Sequence, residues 1–147
     1  MEFYKEILIN SVEDLKSFAE NLTDCLKGNE VILLIGNLSA GKTTFTKFLV
    51  SALGIEDETE ITSPTFAVMN EYETLKGTVY HIDLYRVKKF DITDILGYGI
   101  ILIEWADEKD FLNLEVPVIK IEFEILEDEK RRLKIYIKNA DYIKKCI

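Results

Sequence analysis

Residues Gly36-Asn37-Leu38-Ser39-Ala40-Gly41-Lys42-Thr43 read G-x-x-x-x-G-K-T, the spacing of a phosphate-binding P-loop. Glycines let a backbone turn tightly and approach a ligand closely. Consecutive main-chain N–H groups then point inward at phosphate oxygens, and a helix beginning at the end of the loop adds its positive N-terminus. Lys42 supplies a point charge for β- and γ-phosphates, and Thr43 a hydroxyl for Mg2+. The residues expected to meet nucleotide are Asn37, Leu38, Ser39, Ala40, Gly41, Lys42, Thr43 and Thr44. In a chain of 147 residues ordinary residue usage produces such a match on the order of once in a few hundred.

A loop of this kind works only between a strand and a helix. Val31-Ile32-Leu33-Leu34-Ile35 is an apolar run of strand length. From Thr44 to Leu53, Phe45, Phe48, Leu49 and Leu53 recur at helical spacing. Before the loop, residues 4–9 alternate as a strand. Ser11 and Asp14 form a helix-start pattern ahead of an apolar face of Val12, Leu15, Phe18, Ala19, Leu22, Cys25 and Leu26, which Gly28-Asn29 is expected to end. Beyond it, Phe66–Tyr72 and Thr78–Asp83 read as strands joined by a turn at Leu75-Lys76-Gly77. Residues 84–97 read as partly helical. Ile100–Ile103 is a fully apolar strand for the middle of a sheet, and residues 106–114 a short helix or turn. Val116–Ile125 and Arg131–Ile137 alternate around the charged turn Glu127-Asp128-Glu129-Lys130, a hairpin. Helices between early strands and hairpins later predict an α/β fold. With the phosphate loop, it is a P-loop NTPase-like three-layer sandwich with a mixed central sheet and a C-terminal β-hairpin, one domain over residues 1–147.

Phosphate chemistry also needs a carboxylate for the metal or its waters, normally at the end of an apolar strand. Asp83 follows Val79-Tyr80-His81-Ile82, and Glu104 follows Ile100–Ile103. His81, the only histidine, shares a strand face with Asp83 and reads as its structural partner. Trp105, the only tryptophan, reads equally as a core aromatic or as a neighbour of nucleotide. Thr62-Ser63-Pro64-Thr65-Phe66 crowds hydroxyls around a restrained proline. It is either a strand-entry turn or a switch that senses the γ-phosphate through Ser63 and Thr65.

Composition narrows the function further. Eighteen Lys and Arg against 27 Asp and Glu leave a net charge of −9, which disfavours direct gripping of nucleic acid, where phosphate neutralisation dominates. Lys144-Lys145 reads as a solvated C-terminus. Apolar runs reach about half the length that crosses a bilayer, and the first residues show no basic and apolar leader, so the expected location is cytoplasmic, away from membranes. The two cysteines, Cys25 and Cys146, lack metal or redox spacing. Cys25 reads as a buried small hydrophobe, and no disulfide is expected.

Gly36 to Phe45, Ser63-Pro64-Thr65-Phe66, Asn70-Glu71-Tyr72, His81-Ile82-Asp83-Leu84-Tyr85-Arg86 and Ile103-Glu104-Trp105 occur in that order. Together they resemble the bacterial TsaE (YjeE) family. The resemblance implies an ATPase, requiring ATP and Mg2+, that works with TsaB and TsaD while that complex places a threonylcarbamoyl group on a tRNA adenosine. Contact with tRNA would then be indirect. The resemblance also implies that Lys42 and Thr43 hold phosphate and Mg2+, that Ser63-Pro64-Thr65 is the switch, and that Asp83 and Glu104 share the handling of Mg2+ and attacking water, in an order left open. Asn37 and Ser39 replace an acid and a glycine common in that family. An ordinary backbone is therefore expected at Ser39, and binding is expected to survive the lost acid. The segment between Arg86 and Ile100 is shorter than usual for the family. Turnover is expected to be slow without a partner to settle the switch.

The same loop would serve a nucleotide-dependent binding module whose occupied state, rather than hydrolysis, carries the function. It would also serve a kinase or GTPase. However, no guanine-reading Asn-Lys-x-Asp is present, no strand leads into Asp94-Ile95-Leu96-Gly97, and the arginines are only Arg86, Arg131 and Arg132.

Overall fold

A computed structural model of the chain describes residues 1–55, 61, 68–87 and 89–147. One seven-stranded sheet organises them, in the order β1-β7-β6-β2-β5-β4-β3. The strands are β1 (Glu2–Ile9), β2 (Val31–Ile35), β3 (Met69–Thr74), β4 (Gly77–Asp83), β5 (Gly99–Glu104), β6 (Val118–Ile125) and β7 (Arg131–Lys138), and the helices are α1 (Val12–Thr23) and α2 (Lys42–Ala52). The central run β6-β2-β5-β4 is parallel. Antiparallel β3, β7 and β1 flank it. The expected α/β class, mixed sheet and C-terminal hairpin are all present.

Sequence explains why β2 and β5 sit inside. Neither alternates in polarity, as strands covered on both faces do not. Every residue of β5 is buried. Side chains on one sheet face, including Ile32, Leu34, Leu102, Ile119 and Ile121, pack under Leu15, Phe18 and Leu22 of α1 and Phe45 and Leu49 of α2. The intervening residues Val31, Leu33, Ile101, Ile103 and Val118 face the other way, beneath Leu84, Ile92 and Phe111. That second layer is built from turns and the short 3-10 helix Glu108–Phe111. Residues 84–97, expected to be partly helical, contain hydrogen-bonded turns instead among those described, such as Leu96 N to Ile92 O. Asp91, Asp94 and Gly97 there favour turns over a continuous helix.

Helix α1 starts where its caps require. Ser11 is extended and its hydroxyl accepts from Asp14 N at 3.1 Å, while Asp14 accepts from Asn10 N at 3.0 Å, a reciprocal arrangement that satisfies end donors. The helix stops at Thr23, earlier than its apolar stripe suggested. Gly28, at φ +105°, shapes a turn instead. In that turn the fully buried Glu30 accepts from the amides of Lys27, Gly28 and Asn29.

At the C-terminus Lys144 and Lys145 are exposed, as expected, but the expectation of no disulfide is corrected. Ile143 is fully buried within a 3-10 helix, Asp141–Lys145. The Tyr142 hydroxyl donates to Glu30 at 2.5 Å, and burial together with that carboxylate raises its pKa well above the ordinary tyrosine value. Tyr4 donates to the Ile147 carbonyl. Cys25 and Cys146 form a disulfide with Cα atoms 6.1 Å apart, spanning 121 residues. Sequence spacing could not reveal it, because the fold alone brings the chain's last turn onto the end of α1. Closing so long a loop restricts the unfolded chain. Reduction, or Cys146→Ser, is therefore expected to lower unfolding stability by about 2–4 kcal/mol, read as a lower denaturant midpoint. Identical midpoints with and without reductant would show that the bond contributes nothing.

No described helix is long and apolar enough to cross a membrane.

Candidate functional site

The parallel strands β2, β5 and β4 all finish at one edge, where ligands of open α/β sheets bind. There β2 runs into residues 36–41 and α2. Register places Leu34 beside Glu104, and Glu104 beside Asp83. The phosphate-loop candidate and both carboxylate candidates are thereby gathered by the topology of the sheet.

The loop has the space and conformation of a backbone cradle. A Cβ on Gly36 would meet the Phe123 carbonyl at 2.9 Å and Ala40 Cβ at 3.2 Å, so the loop closes only with glycine there. Gly41, at φ +109°, caps α2 without a side chain, leaving the first-turn N–H groups for a ligand. Ser39 lies at φ 64°, which corrects the expectation of an ordinary backbone. The left-handed conformation costs a non-glycine residue about 1–2 kcal/mol, so neighbouring contacts must hold it.

Lys42 is 4% exposed, and its ammonium is turned into the site. Nζ donates to the Gly36 carbonyl at 2.6 Å and sits 3.8 Å from the centroid of the Trp105 ring. A desolvated cation over an indole gains on the order of 2 kcal/mol. Burial lowers the Lys42 pKa, and the carboxylates of Glu104 and Asp83 partly restore it. Trp105 reaches this place through a left-handed backbone, φ 61°, immediately after β5. Its ring meets Tyr85 edge-on at 4.9 Å.

The two carboxylates differ in setting. Glu104 is 4% exposed, and one of its oxygens lies 2.6 Å from His81 Nε2. His81 is fully buried, and its Nδ1 has no hydrogen-bond partner among the described residues. The expected His81–Asp83 pairing is therefore replaced by His81–Glu104, made across the β4–β5 ladder. Asp83 is half-buried, and its Oδ1 accepts from Tyr85 N at 2.9 Å.

Leu38, Ser39, Gly41, Lys42, Thr43, Thr44, Asp83, Glu104 and Trp105 share one cavity of about 440 Å³. Ile9, Val12 and Leu15 form an apolar wall of it, and Glu129 and Arg131 reach it from the hairpin. Asn37 lines a separate depression with Gly36 and Glu122–Ile125. Ala40 is buried. Ser63 and Thr65, the candidate switch, lie outside the described residues, as does the expected start of β3 at Phe66. Sequence reasoning missed the apolar wall and Arg131. The wall residues read simply as strand and helix core, and nothing local marks an arginine at a hairpin start as a neighbour of residues 39 and 40.

A divalent cation fits this donor set. Mg2+ takes one or two carboxylates plus phosphate oxygens and water rather than an all-protein cage. Thr43, Asp83 and Glu104 offer that much, and the described residues contain no cluster of three His, Cys, Asp or Glu that would hold a metal by itself.

A family model described as threonylcarbamoyl adenosine biosynthesis protein TsaE matches residues 9–134. A tRNA threonylcarbamoyladenosine biosynthesis protein TsaE of Aquifex aeolicus is 47% identical over 138 residues, 94% of this chain and all of that one. Its counterpart in Rickettsia felis is 36% identical over 141 residues, 92% of this chain and 81% of that protein. The crystal structure of Bacillus subtilis YdiB superposes with a TM-score of 0.74 at 25% identity, covering 99% of this chain and 95% of that one.

Proposed function

The chain belongs to the TsaE family, and on that footing we propose that it binds and hydrolyses Mg-ATP in support of tRNA threonylcarbamoyladenosine formation, acting with TsaB and TsaD and meeting tRNA only through them. The observation that carries the proposal is the enclosed Lys42 ammonium, bonded to the Gly36 carbonyl, in a residue that lines one cavity with two strand-end carboxylates.

In this reading the loop amides and Lys42 take the β- and γ-phosphates, and the nucleoside lies against Ile9, Val12 and Leu15. Thr43 and Asp83 would hold Mg2+, which supplies charge neutralisation at the phosphate oxygens. Asp83 suits the metal because it is the more open carboxylate. Glu104 suits the attacking water, because His81 fixes one of its oxygens and leaves the other to orient a donor. Trp105 covers Lys42 and excludes water from it, which strengthens the electrostatics inside the site. Asp83, Glu104 and Lys42 thus carry the catalysis proposed.

The test is ATP turnover of the purified chain with and without a TsaB–TsaD complex. Slow turnover alone and a clear rise on addition of the complex are expected. No binding of ATP under any condition would refute the proposal.

A further inference from the structure

Arg131 opens β7, far from residues 36–43 in sequence. Its guanidinium nevertheless reaches them. Nε donates to the Ala40 carbonyl at 3.1 Å and Nη2 to the Ser39 carbonyl at 3.4 Å. Nη1 donates to the carbonyls of Asp128 at 2.8 Å and Lys130 at 2.9 Å in the β6–β7 turn. Ser39, at φ 64°, and Asp128, at φ 53°, are both left-handed non-glycine residues. One planar cation thus ties together two segments that are each held away from their preferred backbone.

We propose that Arg131 is a positioning residue for nucleotide binding: it holds the Ser39–Gly41 backbone in the conformation that presents the phosphate cradle. The peptide plane supplies the reason. In a trans peptide the N–H points opposite to the carbonyl. Fixing the Ser39 carbonyl therefore fixes the Ala40 N–H, which closes a turn on the Asn37 carbonyl at 3.2 Å. Fixing the Ala40 carbonyl fixes the Gly41 N–H at the entrance of α2. Glycine would adopt this conformation freely at position 39; serine does so only under restraint. Arg131 supplies the restraint from outside the loop. Lysine cannot replace it, because a single ammonium lacks the planar fork that spans several carbonyls.

The inference rests on the nucleotide reading above, and the test separates the two. Parent chain, Arg131→Met, Arg131→Lys, Ser39→Gly and the double variant Ser39→Gly/Arg131→Met are titrated with Mg2+ and the non-hydrolysable analogue AMPPNP. Amide exchange of residues 37–41 is followed in the same proteins without nucleotide. Arg131→Met is expected to weaken AMPPNP binding about tenfold, the scale of losing hydrogen bonds from a charged donor, and to speed exchange at the loop amides. Arg131→Lys, which keeps the charge, is expected to behave nearly as badly. The affinity of Ser39→Gly alone sets the reference for the second arm of the cycle. In the Ser39→Gly background Arg131→Met should cost much less than in the parent, a coupling that a double-mutant cycle isolates.

Equal losses in both backgrounds, or full affinity in Arg131→Lys, would mean that the guanidinium serves the ligand by charge or direct contact, and would overturn the positioning role while leaving the nucleotide reading intact. Unchanged loop exchange in Arg131→Met overturns it as well. A parent chain that binds no AMPPNP removes the nucleotide reading and this inference with it.

Discussion

Replacing Lys42 by alanine is expected to lower ATP turnover by about 10²–10³-fold, the loss typical of removing one preorganised charged donor from a water-poor site. The side chain is almost wholly enclosed, its ammonium bonded to the Gly36 carbonyl and set on the Trp105 face, in a cavity that Asp83 and Glu104 also line. Among the described residues no other lysine lines this cavity, and the guanidinium of Arg131, which also reaches it, is held by the carbonyls of Ser39, Ala40, Asp128 and Lys130. Stability should respond far less. The substitution leaves one carbonyl without its donor, a loss on the order of 1–3 kcal/mol, but it also removes a desolvated cation. Thermal unfolding of the variant therefore serves as the control. A folded Lys42→Ala protein that hydrolyses ATP as fast as the parent, with the same partner response, would defeat the assignment of this cavity to triphosphate.

The second large effect distinguishes the carboxylates. Glu104→Gln keeps the size of the side chain and a hydrogen-bonding group for His81, but removes the charge that would orient water. Turnover is expected to fall about 10²–10⁴-fold, the range for loss of a positioned base, with AMPPNP affinity changed less than about threefold. Asp83→Asn is expected to act differently, raising the Mg2+ concentration for half-maximal turnover by about tenfold or more. The contrast follows from burial: Glu104 is buried and paired with His81 at 2.6 Å, whereas Asp83, which lines the same cavity, is only half-buried. Swapped phenotypes would exchange the two roles. If both variants lose hydrolysis yet still support tRNA modification with TsaB and TsaD, the ATP-bound state carries the function and hydrolysis does not.

Trp105 illustrates a residue that sequence left balanced. Its position after an apolar strand and an acid suited a core or a site equally. Only its positive φ and the ring's approach to Nζ decide for the site. His81 pairs with Glu104 rather than with Asp83 for a related reason. Alternation along one strand is legible in sequence, but the neighbour across the ladder depends on which strand pairs with which. Residues 84–97 carried apolar spacing that resembled a helix, yet turn-forming Asp and Gly residues prevailed once Ile92 could be buried from a turn.

By itself, the sequence determined the glycine-flanked loop between β2 and α2, the capped start of α1, the buried β5, the C-terminal hairpin and both strand-end acids. Each is a local matter of backbone geometry, residue period or polarity, and each needs only neighbours within a few positions. Tertiary structure alone decided the rest. Strand order brought Asp83 and Glu104 into register beside the loop. The docking of the last turn paired Cys25 with Cys146 and seated Tyr142 on Glu30. The hairpin carried Arg131 to the carbonyls of Ala40 and of a left-handed Ser39. These contacts join residues tens of positions apart or more, and their existence depends on which surfaces the whole core presses together, information that no local window of the chain contains.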